Sequence, residues 1–152
     1  MDTPLSPHDG RFDGPVHHFA LRVYYEDTDL SGIVYHANYL RWFERARSDM
    51  LRVLNIDQRA AIEAGQGAYA VADLQIRYVR PAKLDDDVLI ESTCTQLRAA
   101  SVRMHQSAFR RSEMLAEAHL RIGFVSPDGK PCRQPQIWRD AFSQILVPEH
   151  IA

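Results

Sequence analysis

The stretch from Tyr24 to Arg47, YYEDTDLSGIVYHANYLRWFERAR, gathers polar groups whose types and spacing suit catalysis. Two carboxylates, Asp27 and Asp29, stand two residues apart, followed by Ser31, Gly32 and then His36 just ahead of a helical pattern. A carboxylate beside a helix start can do acid–base or nucleophilic work on a carbonyl. The first amides of a helix have no acceptor within it and can hold an oxyanion as it forms. Val34, Tyr35 and His36 lie at that start, and Gly32 lets the backbone come close to a ligand. The same residues have plainer readings. An Asp-x-Asp ahead of a glycine also makes a solvated turn. Asp27, Asp29 and Ser31 before Gly32 imitate the opening of a calcium loop, but its twelfth position is Asn38 instead of Glu, and a strand precedes it. His36 reads either as a hydrogen-bonded structural residue or as a base. No GxSxG elbow and no Walker loop competes.

These groups need elements to position them. Apolar residues at Phe19, Leu21, Val23 and Tyr25 alternate with polar ones, which predicts a strand over 19–26. A helix is predicted from about Ala37. Leu40, Phe43, Met50, Leu51 and Leu54 recur at helical spacing, and Tyr39, Trp42 and Ala46 add a second apolar edge, so this helix is covered on more than one side. Asp57 caps a short second helix that Gly65 stops. Beyond Gly67 the period becomes two, with strands predicted around 72–78, 88–94, 102–108 and 114–124. Ser126-Pro127-Asp128-Gly129 turns the chain, and 136–146 can form a last short helix. The pattern is α+β: a five-stranded antiparallel sheet curled around a long central helix.

Composition limits the rest. The 152 residues carry 18 Lys+Arg against 20 Asp+Glu, a net charge of −2 that supports no bulk attraction to nucleic acid. Cys94 and Cys132 form neither a disulfide framework nor a zinc knuckle, so no metal is expected. No apolar run is long enough to span a membrane, and the first residues lack a signal-peptide core, which predicts a cytoplasmic protein. Residues 1–16, rich in proline and glycine, read as a flexible leader, and 17–148 as one domain. A single core of this size leaves little room for an enclosed ligand site, so a second subunit is expected.

Asp27-Thr28-Asp29, Gly32-Ile33-Val34-Tyr35-His36, Asn38-Tyr39-Leu40 and Glu44-Arg45-Ala46-Arg47 together resemble the signature of the HotDog-fold acyl-CoA thioesterases. Within that group the run is most similar to the Tol-Pal-associated branch, relatives of 4-hydroxybenzoyl-CoA thioesterase. The resemblance extends over about residues 18–146, since Asp128-Gly129-Lys130-Pro131, Arg133 and Pro135 also match. It implies the HotDog fold, an acyl-CoA substrate hydrolysed without a cofactor, and a homodimer or homotetramer with sites across the subunit interface. It also implies Asp29 rather than Asp27 as the catalytic carboxylate, with the His36 backbone N–H polarising the thioester carbonyl. Arg98 and Arg133 match basic positions that would contact coenzyme A phosphates, with Lys130 as a neighbour. Glu44, two turns beyond His36, is either a second catalytic acid, as in some other branches, or the partner of Arg47 or Arg41 in an ion pair. The alternative function is a non-catalytic module that holds acyl-CoA or acyl carrier protein at the cell envelope. Hydration of an acyl thioester would need an HxxP-type context that is missing here.

Overall fold

The computed structural model describes residues 5–148. In chain order the elements are β1 (Arg11–Asp13), β2 (Val16–Arg22), a 3-10 turn (Tyr25–Asp27), α1 (Asn38–Val53), α2 (Gln58–Glu63), β3 (Ala68–Tyr78), β4 (Asp87–Leu97), β5 (Ser101–Arg110), β6 (Glu113–Val125) and α3 (Gln136–Ser143). The strands form one antiparallel sheet in the order β1-β2-β4-β5-β6-β3.

The α+β expectation holds, with two corrections. The sheet has six strands, not five, and the added one, β1, lies inside the stretch expected to be a leader. Its anchorage is polar. The Gly10 amide donates to both carboxylate oxygens of Asp49, at 3.1 and 2.9 Å, and His17 Nε2 meets Asp49 Oδ2 at 2.6 Å. A Cβ on Gly10 would lie 2.4 Å from Asp49 Oδ2, so only glycine lets the chain pass so close to α1. The strand expected over 19–26 instead starts at Val16 and stops at Arg22, because Asp27 Oδ2 accepts from the Tyr24 amide at 2.8 Å and closes the 3-10 turn.

The core lies between α1 and the concave face of the sheet. Tyr39, Trp42, Phe43, Ala46 and Met50 make the buried stripe of the helix, while Leu40 is partly exposed. Facing them are Val88, Ile90 and Cys94 of β4, Val102, Met104 and Ala108 of β5, and Ala118, Leu120, Ile122 and Phe124 of β6, alternate residues of strongly periodic strands. Truncating Phe43 to alanine in so filled a layer would cost about 3–5 kcal/mol. Gln106 fixes the register of helix on sheet: its Nε2 donates to Phe43 O (3.0 Å) and Ser92 Oγ (2.9 Å), and its Oε1 accepts from Arg47 (2.9 Å). Asp57 caps α2 by accepting from the Ala60 amide at 3.0 Å, as expected. The outer edge of β3 pairs with no strand among the described residues, and Val71 and Tyr78 on it are exposed. Among the described residues, no helix is long and apolar enough to cross a membrane.

Candidate active site

Asp29 opens a tight turn between β2 and α1. Thr28 and Val34 form an antiparallel bridge, the Asp29 amide donates to Ile33 O (3.0 Å), and the Gly32 amide donates back to Asp29 O (3.0 Å). Gly32 closes the turn at φ 80°, the left-handed region that favours glycine. The carboxylate projects to the surface, where Oδ1 accepts from the Ser31 amide at 2.8 Å and from the Ser31 hydroxyl. Those two bonds, hydroxyl first and amide second, hold the Asp29 carboxyl below the usual carboxylate range, with a smaller contribution from His36. It is therefore ionised at neutral pH. Asp27 has a different task. Its side chain closes the 3-10 turn, and its carbonyl accepts from the Tyr35 amide (2.9 Å) and Asn38 Nδ2 (2.8 Å).

The helix start supplies the donors. Ala37 stands at the N-cap of α1 with no side chain to cap it, and no acidic residue occupies the first turn. Not every amide there is free. Val34 N–H donates to Ala82 O (2.9 Å) and Tyr35 N–H to Asp27 O (2.9 Å), so these two candidates are spent on the fold. Among the described residues, the amides of His36 and Ala37 donate to no acceptor. Their directions are set from the carbonyl side. Tyr35 O accepts from the Asn38 amide (2.9 Å) and His36 O from Tyr78 Oη (2.8 Å), and in a planar trans peptide each N–H points opposite its carbonyl. Tyr78, at the end of β3, is thus a positioning residue that the sequence reading missed. Its only sequence signal is a tyrosine closing an alternating strand ahead of Pro81. The His36 ring packs at 4.6 Å from Tyr35 and edge-on to Tyr78 at 6.0 Å.

The basic candidates meet one another but not Asp29. Gln134 is buried and sews two segments together: its amide donates to Ala99 O (2.9 Å), its Nε2 to Arg98 O (2.9 Å), and its Oε1 accepts from Tyr69 Oη (2.6 Å). Arg98 and Arg133 are therefore exposed on adjoining turns, and Lys130 sits on the same hairpin with Asp128 Oδ2 at 4.0 Å. This rim lies where Ala68 pairs with Val125, whereas Tyr78, at the opposite end of β3, pairs with Ala116 beside His36. The two ends are roughly 33 Å apart along the strand. Glu44 makes neither expected ion pair among the described residues, since Arg47 turns to Gln106. It lines a cleft of about 170 Å³ with Met50, Tyr69, Val102 and Phe142, a cleft Asp29 does not reach.

Residues 31–117 match the thioesterase superfamily. The chain belongs to that family. Its enzyme class is thioester hydrolase, and its architecture is the HotDog fold. It is 40% identical over 128 residues to the acyl-CoA thioesterase YbgC of Haemophilus influenzae, an alignment covering 84% of this chain and 94% of that one. It is 39% identical over 108 residues to the acyl-CoA thioester hydrolase YbgC of Escherichia coli, with 70% and 80% covered. The crystal structure of a probable thioesterase from Bartonella henselae superposes with a TM-score of 0.75 at 36% identity, covering 79% of this thioesterase and 99% of that chain.

Proposed function

We propose that this thioesterase hydrolyses acyl-CoA, with Asp29 as the catalytic carboxylate and the His36 amide as the oxyanion donor. The observation that carries the reading is the pairing of a carboxylate held ionised by Ser31 with uncapped helix amides of fixed direction. The carbonyl oxygen of the thioester sits at the His36 N–H and the Ala37 N–H, and Asp29 either draws a proton from water or attacks the carbonyl carbon itself. In the first route the water oxygen bonds to the carbonyl carbon, the C–S bond breaks, and the thiolate of coenzyme A leaves with the electron pair. In the second an Asp29 acyl anhydride forms as that thiolate leaves, and water then hydrolyses it. The imidazole of His36 orients the acyl end.

The working unit is a homodimer or homotetramer. Asp29 is open to solvent in the single chain, Tyr25 beside it is 81% exposed, and a long unpaired edge strand flanks the site. Antiparallel pairing of β3 with the β3 of a second copy would cover that edge. It would also carry the Arg98–Arg133 rim of one copy to the Asp29 end of the other, joining what roughly 33 Å of strand separates within one chain. Coenzyme A phosphates then meet Arg98 and Arg133, with Lys130 at the margin. The reading includes a cytoplasmic location and the Tol-Pal-associated branch implied by the motif run.

Thiol release from a panel of short, long and aromatic acyl-CoAs tests the substrate class. Arg98→Ala and Arg133→Ala are expected to raise KM about 10-fold with kcat nearly unchanged, because phosphate contacts bind ground and transition states alike. The penalty shrinks at high salt. Wild-type KM in both variants at every salt concentration, or a clean active monomer by light scattering, would overturn this arrangement.

A further inference from the structure

The outer face of the sheet, turned away from α1, carries a cluster that hydrolysis does not use. We propose that His105, Glu117 and His119 form a three-ligand site for a divalent transition-metal ion, zinc by its ligand chemistry. His105 on β5 lies directly opposite His119 on β6, and Ser107 directly opposite Glu117. Glu117 and His119 are two residues apart, so all three side chains rise from one patch of one face. Their neighbours Met104, Gln106, Ala118 and Leu120 point the other way into the core, which makes the backbone beneath the patch a rigid platform.

The distances suit a metal. His105 Nε2 is 3.0 Å and His119 Nε2 is 3.3 Å from the same oxygen, Glu117 Oε1, and the three ligand atoms all lie within 4.8 Å of one another. Metal–ligand bonds of about 2.0–2.1 Å in a tetrahedron set the ligand atoms roughly 3.3 Å apart. Arg77 holds the other oxygen, Oε2, at 3.0 Å and so keeps Oε1 turned toward the imidazoles.

An ion-pair cluster explains the arrangement less well. Glu117 already has a cation in Arg77, and the two imidazole rings lie tilted at a centroid separation of 4.7 Å. Charging both would crowd three positive groups around one carboxylate. Two neutral imidazoles and a carboxylate, by contrast, are a ligand set that zinc accepts, with the fourth position left to water. His119 is 56% exposed and His105 33%, so the ion enters directly from solvent. Cysteine spacing gives no hint of such a site, because the ligands meet across strands and none is a thiol. The ion would clamp β5 to β6 on the face opposite the core and does not touch the hydrolytic groups.

The test is calorimetric titration of the full chain, stripped with a chelator, with zinc chloride. One ion per chain is expected, with a Kd of about 10 µM or tighter. His119→Gln and Glu117→Gln should each weaken binding by at least about 10-fold, and His105→Gln repeats the result from the other strand. His18→Gln, on the same face but outside the cluster, should leave Kd unchanged. Metal-free melting temperatures matching wild type show that the variants fold. Cobalt(II) should give the intense visible bands of a four-coordinate ion. Binding no tighter than millimolar, a Kd unmoved by the three cluster variants, or a pale octahedral cobalt spectrum would each overturn the proposal.

Discussion

Two aspartates at either end of the same helix show how position decides the work of a carboxylate. Asp49, three turns into α1, is buried and saturated: the Gly10 amide donates to both of its oxygens, and His17 meets Oδ2. Asp29, just ahead of the helix, lies at the surface. It is held through one oxygen by Ser31 alone, and the helix start that follows it keeps amides that the fold has not used. The buried acid spends its capacity on keeping residues 10–17 against the helix. The exposed one keeps capacity in reserve. A stabilising carboxylate and a candidate reacting one are thus distinguished less by residue type than by what remains unsatisfied after folding.

The sharpest way to break this contrast is to remove each acid in turn. Asp29→Asn keeps the shape and removes the base, so kcat for thioester hydrolysis should fall by about 10²-fold or more, with little change in melting temperature. Asp49→Ala should do the reverse. It leaves the buried His17 ring and the half-buried Gly10 amide without their partner, which costs about 3 kcal/mol of stability in denaturant titration, while kcat per folded molecule stays near wild type. If Asp29→Asn keeps kcat within about threefold of wild type, the assignment fails and Glu44 is the next acid to replace.

The same contrast explains what could be read in the sequence. The helix stripe of Tyr39, Phe43, Ala46 and Met50 and the alternation of β6 were legible because each is a local period of apolar residues facing one core. The Asp29–Gly32–His36 cluster was legible because turn, acid and helix start are neighbours along the chain. β1 was not. Its anchorage is a polar knot in which Gly10 and His17 reach Asp49 from 39 and 32 residues away, and no hydrophobic period marks it. The placement of the candidate site was legible to the same depth. The Val34 amide is spent on Ala82 and the Ala37 amide is aimed through the bond of Tyr78 to His36 O, both partners more than 40 residues downstream, and the convergence of Arg98 with Arg133 depends on a buried Gln134.

Tyr78 gives a second, smaller test of where the capacity for chemistry lies. Its hydroxyl holds His36 O and thereby the direction of the neighbouring Ala37 amide. Tyr78→Phe deletes one hydrogen bond while leaving the ring packed against His36 and Tyr39. We expect kcat to fall about 5–10-fold with KM nearly constant, since a misaligned donor matters most as the oxyanion forms. A purely structural tyrosine would lower the melting point and leave the kcat of the folded enzyme alone.

The smallest expected effect is the most specific to the exposed acid. The Ser31 hydroxyl and amide both donate to Asp29 Oδ1 and favour its charged form, so its carboxyl titrates below the ordinary aspartate value of about 3.9. A base works only when ionised. With Asp29 as the catalytic carboxylate, activity should be full above its pKa and lost as pH falls through it, and the acid limb of kcat/KM should report that pKa in the free enzyme. The wild-type limb should lie below the ordinary aspartate value. Ser31→Ala removes the hydroxyl, the larger of the two contributions, but keeps the amide bond, so the limb should move toward higher pH while the plateau near neutrality is little changed. A limb that stays in place in Ser31→Ala, with the variant folded across the range, would separate the activity from the ionisation of Asp29.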